Sequence, residues 1–210
     1  FLDPIFRARY PLGLHRPMTL LIREARPEDF DTMAEPIDFL GVNHYARVVV
    51  RRGRLPLYGY RVVEASYEGV RYTQMNWEIF PESFYDVLTW VNEEYGPIPV
   101  YVTENGAAFQ DELQDSSVDD QERIEYLRSY LNALHRALRS GVDVRGYFVW
   151  SLLDNFEWSE GLSKRFGLVY VDYATGERIV KASGEWYRRL CRGDGTVLTS
   201  REEEFFESEG

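Results

Sequence analysis

An α/β fold built on parallel strands is what this sequence predicts, and three observations predict it. Three short apolar runs, IDFLGVNHY (37–45), IPVYVTE (98–104) and VRGYFVW (144–150), lack the clean alternation of a half-exposed strand. Such runs are expected of a parallel sheet covered on both faces. Helical patterns separate them, and a strand–helix–strand order gives right-handed βαβ units. Spacing supplies the third observation. The strands start about 60 and about 46 residues apart, so a closed barrel of eight such units would need roughly 400 residues. The chain has 210. Three parallel strands with two open edges make a poor free-standing domain, so the chain reads as part of something larger.

Each element has a local justification. RPEDFDTMAE (26–35) carries Pro27 at the start of a short helix. PESFYDVLTWVNEEYG (81–96) opens on a helix-compatible proline and stops at Gly96. In the 117–141 segment, Ile124, Leu127, Leu131, Leu134 and Leu138 form one apolar stripe, acids crowd the start, arginines the end, and Gly141 follows as a cap. KASGEWYRRLCR (181–192) is a closing helix in which Cys191 is expected to pack inertly. Residues 1–197 are expected to form one domain portion, and 198–210, containing REEEFFESEG, an acidic tail.

Composition narrows the function. With 44% hydrophobic and 15% aromatic residues the chain can build a large core and flat stacking surfaces. A net charge of −11 argues against nucleic acid and favours a neutral or cationic ligand. A single cysteine excludes an intrachain disulfide framework. No apolar stretch approaches the ~18 residues of a membrane span, and no signal-peptide pattern is present, so the expected compartment is the cytoplasm. His15, His44 and His135 have no metal-ligand spacing, and no phosphate-binding loop or nucleophile elbow occurs. Neither metal nor cofactor is expected.

Chemistry in α/β sheets gathers at the carboxyl ends of parallel strands. Here those ends carry Asn43 and Tyr45, Glu104 and Asn105, and Trp150. Glu104 reads either as a solvated strand-end acid or as an ionised carboxylate held rigidly for nucleophilic or base work. Asn43 and Tyr45, two apart, point to one side of their strand, where the tyrosine hydroxyl can hydrogen-bond Glu104 and keep it charged. His44 between them faces the other way. In WSLLDNFEWSEGLSKRFGLVYVDY (150–173), Trp150, Trp158 and Phe166 suit a stacking wall, and Glu157 suits a pair of neighbouring hydroxyls. Flat apolar faces beside charged acceptors match a sugar ring; for each aromatic the plain alternative is core packing.

These stretches are familiar together. YVTENG resembles the nucleophile motif of glycoside hydrolase family 1, the retaining β-glucosidases and β-galactosidases. DFLGVNHY, NWEIFPESFYDVL, GYFVWSLLDNFEWSEGLSKRFGLVYVDY and FLDPIFRARYP resemble that family's neighbouring blocks in the right order. The resemblance implies a (β/α)8 barrel, of which the chain supplies strands six to eight. It implies Glu104 as the nucleophile and Tyr45 as its hydrogen-bond partner, with Asn43 close by. Trp150 would be the platform under the sugar, Glu157 and Trp158 would bind its outer hydroxyls, and Phe166 would border the pocket. It further implies a β-glycoside or oligosaccharide substrate.

One departure matters. Retaining glycosidases use two carboxyl groups about 5–5.5 Å apart, and the family's acid/base glutamate belongs to a Thr-Phe-Asn-Glu-Pro motif. The only Glu-Pro here is Glu35-Pro36, preceded by Met33-Ala34. The acid/base group is therefore expected from a complementary N-terminal barrel fragment. The alternative is a non-catalytic fragment that holds a sugar or a flat apolar ligand on its aromatic wall.

Overall fold

The structure, a computed structural model, describes residues 2–11, 25–53, 60–63 and 69–198. The chain divides into two compact units, residues 1–40 with 48–68, and residues 41–47 with 69–210. The first contains helices α1 (Leu2–Arg7) and α2 (Pro27–Met33) and the antiparallel ladder of β2 (Val50–Arg52) with β3 (Tyr60–Val62). Within it Tyr10 meets Phe30 edge-on at 5.3 Å.

The second unit contains the site. Its sheet has the order β1-β4-β5, from β1 (Leu40–Asn43), β4 (Val100–Asn105) and β5 (Val144–Val149). β4 and β5 run parallel. Helix α3 (Pro81–Tyr95) precedes β4, and α4 (Gln121–Arg139) links β4 to β5. After β5 come a 3-10 turn (Trp158–Glu160) and an antiparallel pair, β6 (Val169–Val171) with β7 (Arg178–Val180). Helix α5 (Ala182–Cys191) and a second 3-10 turn (Gly195–Leu198) follow. Of the expected tail, 198–210, Leu198 ends this turn and packs against the core, and 199–210 lie outside the described residues.

The core is where the helices meet one face of the sheet. Helix α3 starts on Pro81 and stops at Gly96, whose φ of +86° suits glycine. It buries Phe84, Leu88 and Val91 at helical spacing, against Val100 and Val102 of β4 and Leu127 and Tyr130 of α4. Full burial of each such side chain contributes about 1.5–3 kcal/mol. Two expectations need correction here. Leu138 does not join the stripe; after Leu134 the inward position falls to Ala137, leaving Leu138 exposed, while Tyr126, Tyr130 and Ala133 widen the buried face. Nor, among the described residues of this unit, is the sheet covered on both faces: Gly41 and Asn43 of β1, Thr103 of β4 and Phe148 of β5 are exposed. The helices cover only the face carrying Val100 and Val102. Cys191 is exposed at the end of α5, not packed.

A buried ionic cluster ties the loops to this frame. Asp111 accepts from both terminal guanidinium nitrogens of Arg123, Nη1 and Nη2, at 3.0 Å and from Lys181 at 2.5 Å. Lys181 also donates to Asp154 at 2.8 Å, and Arg165 donates to Asp154 at 2.6 Å. Asp120 pairs with Arg123 and accepts from the Ser183 backbone and hydroxyl. Among the described residues three cations thus face three carboxylates. Burial, and then Arg123 nearby, push Lys181 down, while Asp111 and Asp154 hold it up. Among the described residues no helix is long and apolar enough to cross a membrane.

Breaking such a cluster leaves an uncompensated buried charge. Asp154→Ala removes the carboxylate partner of Arg165 and one of the two partners of Lys181, leaving the cluster one positive charge in excess, and is expected to cost about 3–5 kcal/mol in urea melts. A loss under about 1 kcal/mol, the range of an exposed pair, contradicts this.

Candidate active site

The site is built where β4 ends. From Val102 to Asn105 three steps along β4 pass against two along β5, Tyr147 to Val149. Such an irregularity re-aims side chains at the end of a strand. The chain then meets Gly106, where an added Cβ would lie 1.8 Å from the Trp150 carbonyl oxygen, so no larger residue fits. That answers why the strand breaks on glycine: the β4 and β5 exits touch there.

Glu104, half-buried, accepts a 2.6 Å hydrogen bond from the Tyr45 hydroxyl on Oε2. Burial first, and then Glu104, push the Tyr45 phenol far above its ordinary range, so it remains an O–H donor at any working pH. Tyr45 lies two residues beyond the end of β1, and the His44 N–H to Glu104 carbonyl bond of 2.9 Å continues the pairing toward it. Trp150 leaves β5 with its N–H on the Asn105 carbonyl at 2.9 Å, and its indole N–H reaches Glu157 Oε2 at 3.4 Å.

Tyr45, Glu104, Trp150, Glu157, Trp158 and Phe166 line one cleft of about 370 Å³. Asn43 stands apart, exposed on the open sheet face, with its Oδ1 accepting from Thr103 at 2.6 Å. The three aromatics do not form a single wall. Phe166 is buried, edge-on to Tyr45 at 6.3 Å, and serves as the floor. Trp158 is 83% exposed, with a φ of +39° that is costly for tryptophan. The turn overdetermines it through Glu160 N–H to Glu157 O (2.8 Å) and Glu157 N–H to Gly161 O (2.7 Å).

Sequence reasoning passed over Trp77 and Met75, which also line the cleft. Trp77 bridges Tyr45 (5.3 Å) and Phe166 (6.1 Å). Its only sequence signal is its place in NWEIFP, since the Thr73 hydroxyl, not a helix or strand, holds that turn. It also gave Asn105 no role. Asn105 is fully buried; its amide donates to the His44 carbonyl (2.8 Å) and the Tyr126 hydroxyl (3.0 Å), and its oxygen accepts from Tyr147 (2.6 Å).

The cleft is anionic. Glu104, Glu157 and Glu160 line it with no lysine or arginine among the described lining residues. Neighbouring cations are engaged elsewhere, Lys164 on the Gln74 carbonyl and Arg47 on Glu78. Among the described residues no group of His, Cys, Asp or Glu is placed to hold a metal ion. A strand-end carboxylate with a phenol on one oxygen and aromatic surfaces around it can attack an electrophilic carbon and present flat faces to a ring.

The profile of Glycosyl hydrolase family 1 matches residues 1–196. A 1,4-beta-D-glucan glucohydrolase of Thermotoga neapolitana is 46% identical over 197 residues, covering 93% of this chain and 44% of that protein. Beta-glucosidase A of Thermotoga maritima is 45% identical, covering 93% and 43%. The solved structure of the Thermotoga maritima beta-glucosidase with deoxynojirimycin matches with a TM-score of 0.85 at 45% identity, covering 92% of this chain and 43% of that one. The chain thus spans less than half the length of these relatives.

His44 faces away from the cleft, against Phe84 (5.0 Å) and Tyr130 (5.9 Å). The Ser83 hydroxyl donates to the Phe80 carbonyl (2.8 Å), so at 3.2 Å it accepts from His44 Nε2. Nδ1 is then a buried lone pair with no partner among the described residues. Burial pushes the imidazole down to about 4. Its folded value lies below the unfolded 6.5, so as pH falls between the two the unfolded chain takes up a proton that the folded chain refuses. Stability is expected to fall by on the order of 1–2 kcal/mol from pH 7 to pH 4.5 through this group. His44→Phe should flatten that part of the slope in melts; an unchanged slope contradicts the assignment.

Proposed function

This chain belongs to Glycosyl hydrolase family 1 and carries part of that family's (β/α)8 barrel, and we propose that the whole protein is a retaining β-glycosidase acting on terminal β-D-glucosides. The chain is its C-terminal portion, strands six to eight: β1, β4 and β5. Residues 1–197 belong to the barrel portion, Leu198 closes it, and the acidic sequence after it is assigned to a tail. The observation that carries the reading is the Tyr45–Glu104 pair, 2.6 Å apart in a cleft shared with Trp150 and Glu157.

In this reading Glu104 attacks the anomeric carbon, the bond to the leaving oxygen breaks, and a covalent glycosyl-enzyme forms. A second glutamate, from the complementary N-terminal portion, protonates that oxygen and then takes a proton from the water that releases the sugar. Tyr45 orients the nucleophile. Trp150 lies under the sugar ring, Glu157 and Trp158 hold its outer hydroxyls, Phe166 floors the pocket, and Asn43 contributes at the rim. The anionic cleft supports a neutral sugar. Relatives named as beta-glucosidases, and a bifunctional beta-D-glucosidase/beta-D-fucosidase of Bifidobacterium breve at 41% identity, support the substrate class.

A 2-deoxy-2-fluoro-β-glucosyl fluoride tests this, because fluoride leaves without the acid and the fluorine slows release of the adduct. With the complementary portion present, peptide mass spectrometry should place one fluoroglucosyl group on Glu104. Glu104→Gln should abolish it. Tyr45→Phe should slow it about 10- to 100-fold, the worth of one hydrogen bond to a charged group. No adduct, or an adduct on another residue, contradicts the reading; sugar binding without an adduct favours a non-catalytic binding fragment.

A further inference from the structure

Asn105 lies behind the nucleophile, fully buried, and is not itself among the residues that line the cleft. Its carboxamide orientation is fixed by chemistry: the His44 carbonyl can only accept, so the nitrogen faces it at 2.8 Å. The oxygen must then accept from Tyr147 at 2.6 Å. Tyr147, its phenol pushed well up by burial, supplies that proton throughout the working range. The Tyr126 hydroxyl accepts the second amide N–H at 3.0 Å and reaches toward the Tyr45 carbonyl at 3.5 Å. The backbone completes the junction, with Glu104 O on His44 N–H and Asn105 O on Trp150 N–H, both 2.9 Å.

One side chain therefore joins the exit of β1, which carries Tyr45, to the ends of β4 and β5, which carry Glu104 and Trp150. The position requires a donor toward His44 and an acceptor toward Tyr147 at once. Aspartate lacks the donor, leucine lacks both, and glutamine is one methylene longer in a fully packed place. We propose that Asn105 is a positioning residue for the nucleophile, acting by holding Tyr45 at hydrogen-bond distance from Glu104. The inference rests on the family 1 reading above and assigns this residue a function through Tyr45, not through contact with the sugar.

A double-mutant cycle with the fluorinated glucosyl fluoride, on the completed barrel, tests it. In Asn105→Ala the maximal rate of adduct formation on Glu104 should fall about 10- to 100-fold, the worth of the charged hydrogen bond it maintains. The half-saturating reagent concentration should stay within about threefold, because no sugar contact is removed. In a Tyr45→Phe background the same substitution should cost less than about threefold, since the contact it maintains is already gone. Tyr126→Phe, which removes one hydroxyl and keeps the packing, should show the same non-additivity at smaller size, and it decides the matter if Asn105→Ala does not fold. Equal losses in both backgrounds, or a loss confined to half-saturation, overturn the proposal and leave the family reading intact. Absence of any adduct in the wild type overturns both.

Discussion

The segments that follow β4 and β5 are tied together by three cations facing three carboxylates, with every side chain but Arg165 buried. Arg123 reaches from the start of α4 to Asp111 and Asp120 in the segment after β4, and to the Arg165 carbonyl after β5. Lys181, fully buried, joins Asp111 to Asp154. Asp154 also accepts from the Gly167 N–H at 2.9 Å, beside Phe166. A buried pair of this kind adds little net stability over an apolar replacement, but removing one member is costly. Its consequence here is geometric: two long irregular segments acquire one conformation, and the cleft floor is fixed relative to the strand ends.

From that frame the rest of the cleft follows. The offset between β4 and β5 turns Glu104 toward Tyr45, and Gly106 lets the two exits come into contact. Asn105 joins the exits from behind. Trp77, Tyr45 and Phe166 pack mutually at 5.3–6.3 Å, so the phenol that bonds Glu104 has little freedom to leave. The exposed edge of this arrangement is Trp158, held by a turn in a conformation tryptophan seldom takes. Rigid carboxylate, buried donor and exposed aromatic rim are the division of labour expected of a site that binds a ring and attacks it.

How much of this was legible varied with the range of the interaction. Strands β1, β4 and β5 and helices α2 to α5 were readable because local periodicity and end signals specify them: Pro81 and Gly96 bound α3, and Gly141 follows α4. The convergence of Glu104, Tyr45, Trp150 and Glu157 was readable because strand ends gather in any α/β sheet. Asn105 was not, because its partners Tyr126 and Tyr147 lie 21 and 42 residues away and look like ordinary core. Nothing in the sequence marked Asp111, Asp120 and Asp154 for burial, since charge gives no local hint of it. The uncovered sheet face was hidden for a related reason: Gly41, Thr103 and Phe148 sit in runs whose apolar composition suits a face that something covers.

That open face and Glu104, the nucleophile we propose, lead to the same proposal, that this chain is one portion of a barrel whose acid/base group lies elsewhere. The direct test is turnover of an alkyl β-glucoside, whose poor leaving group needs acid assistance, by a sample that native mass spectrometry shows to be the lone 24.7 kDa chain. The account predicts no measurable hydrolysis, since general acid–base help alone is worth about 10²–10⁴-fold. Clear hydrolysis by the lone chain would contradict it.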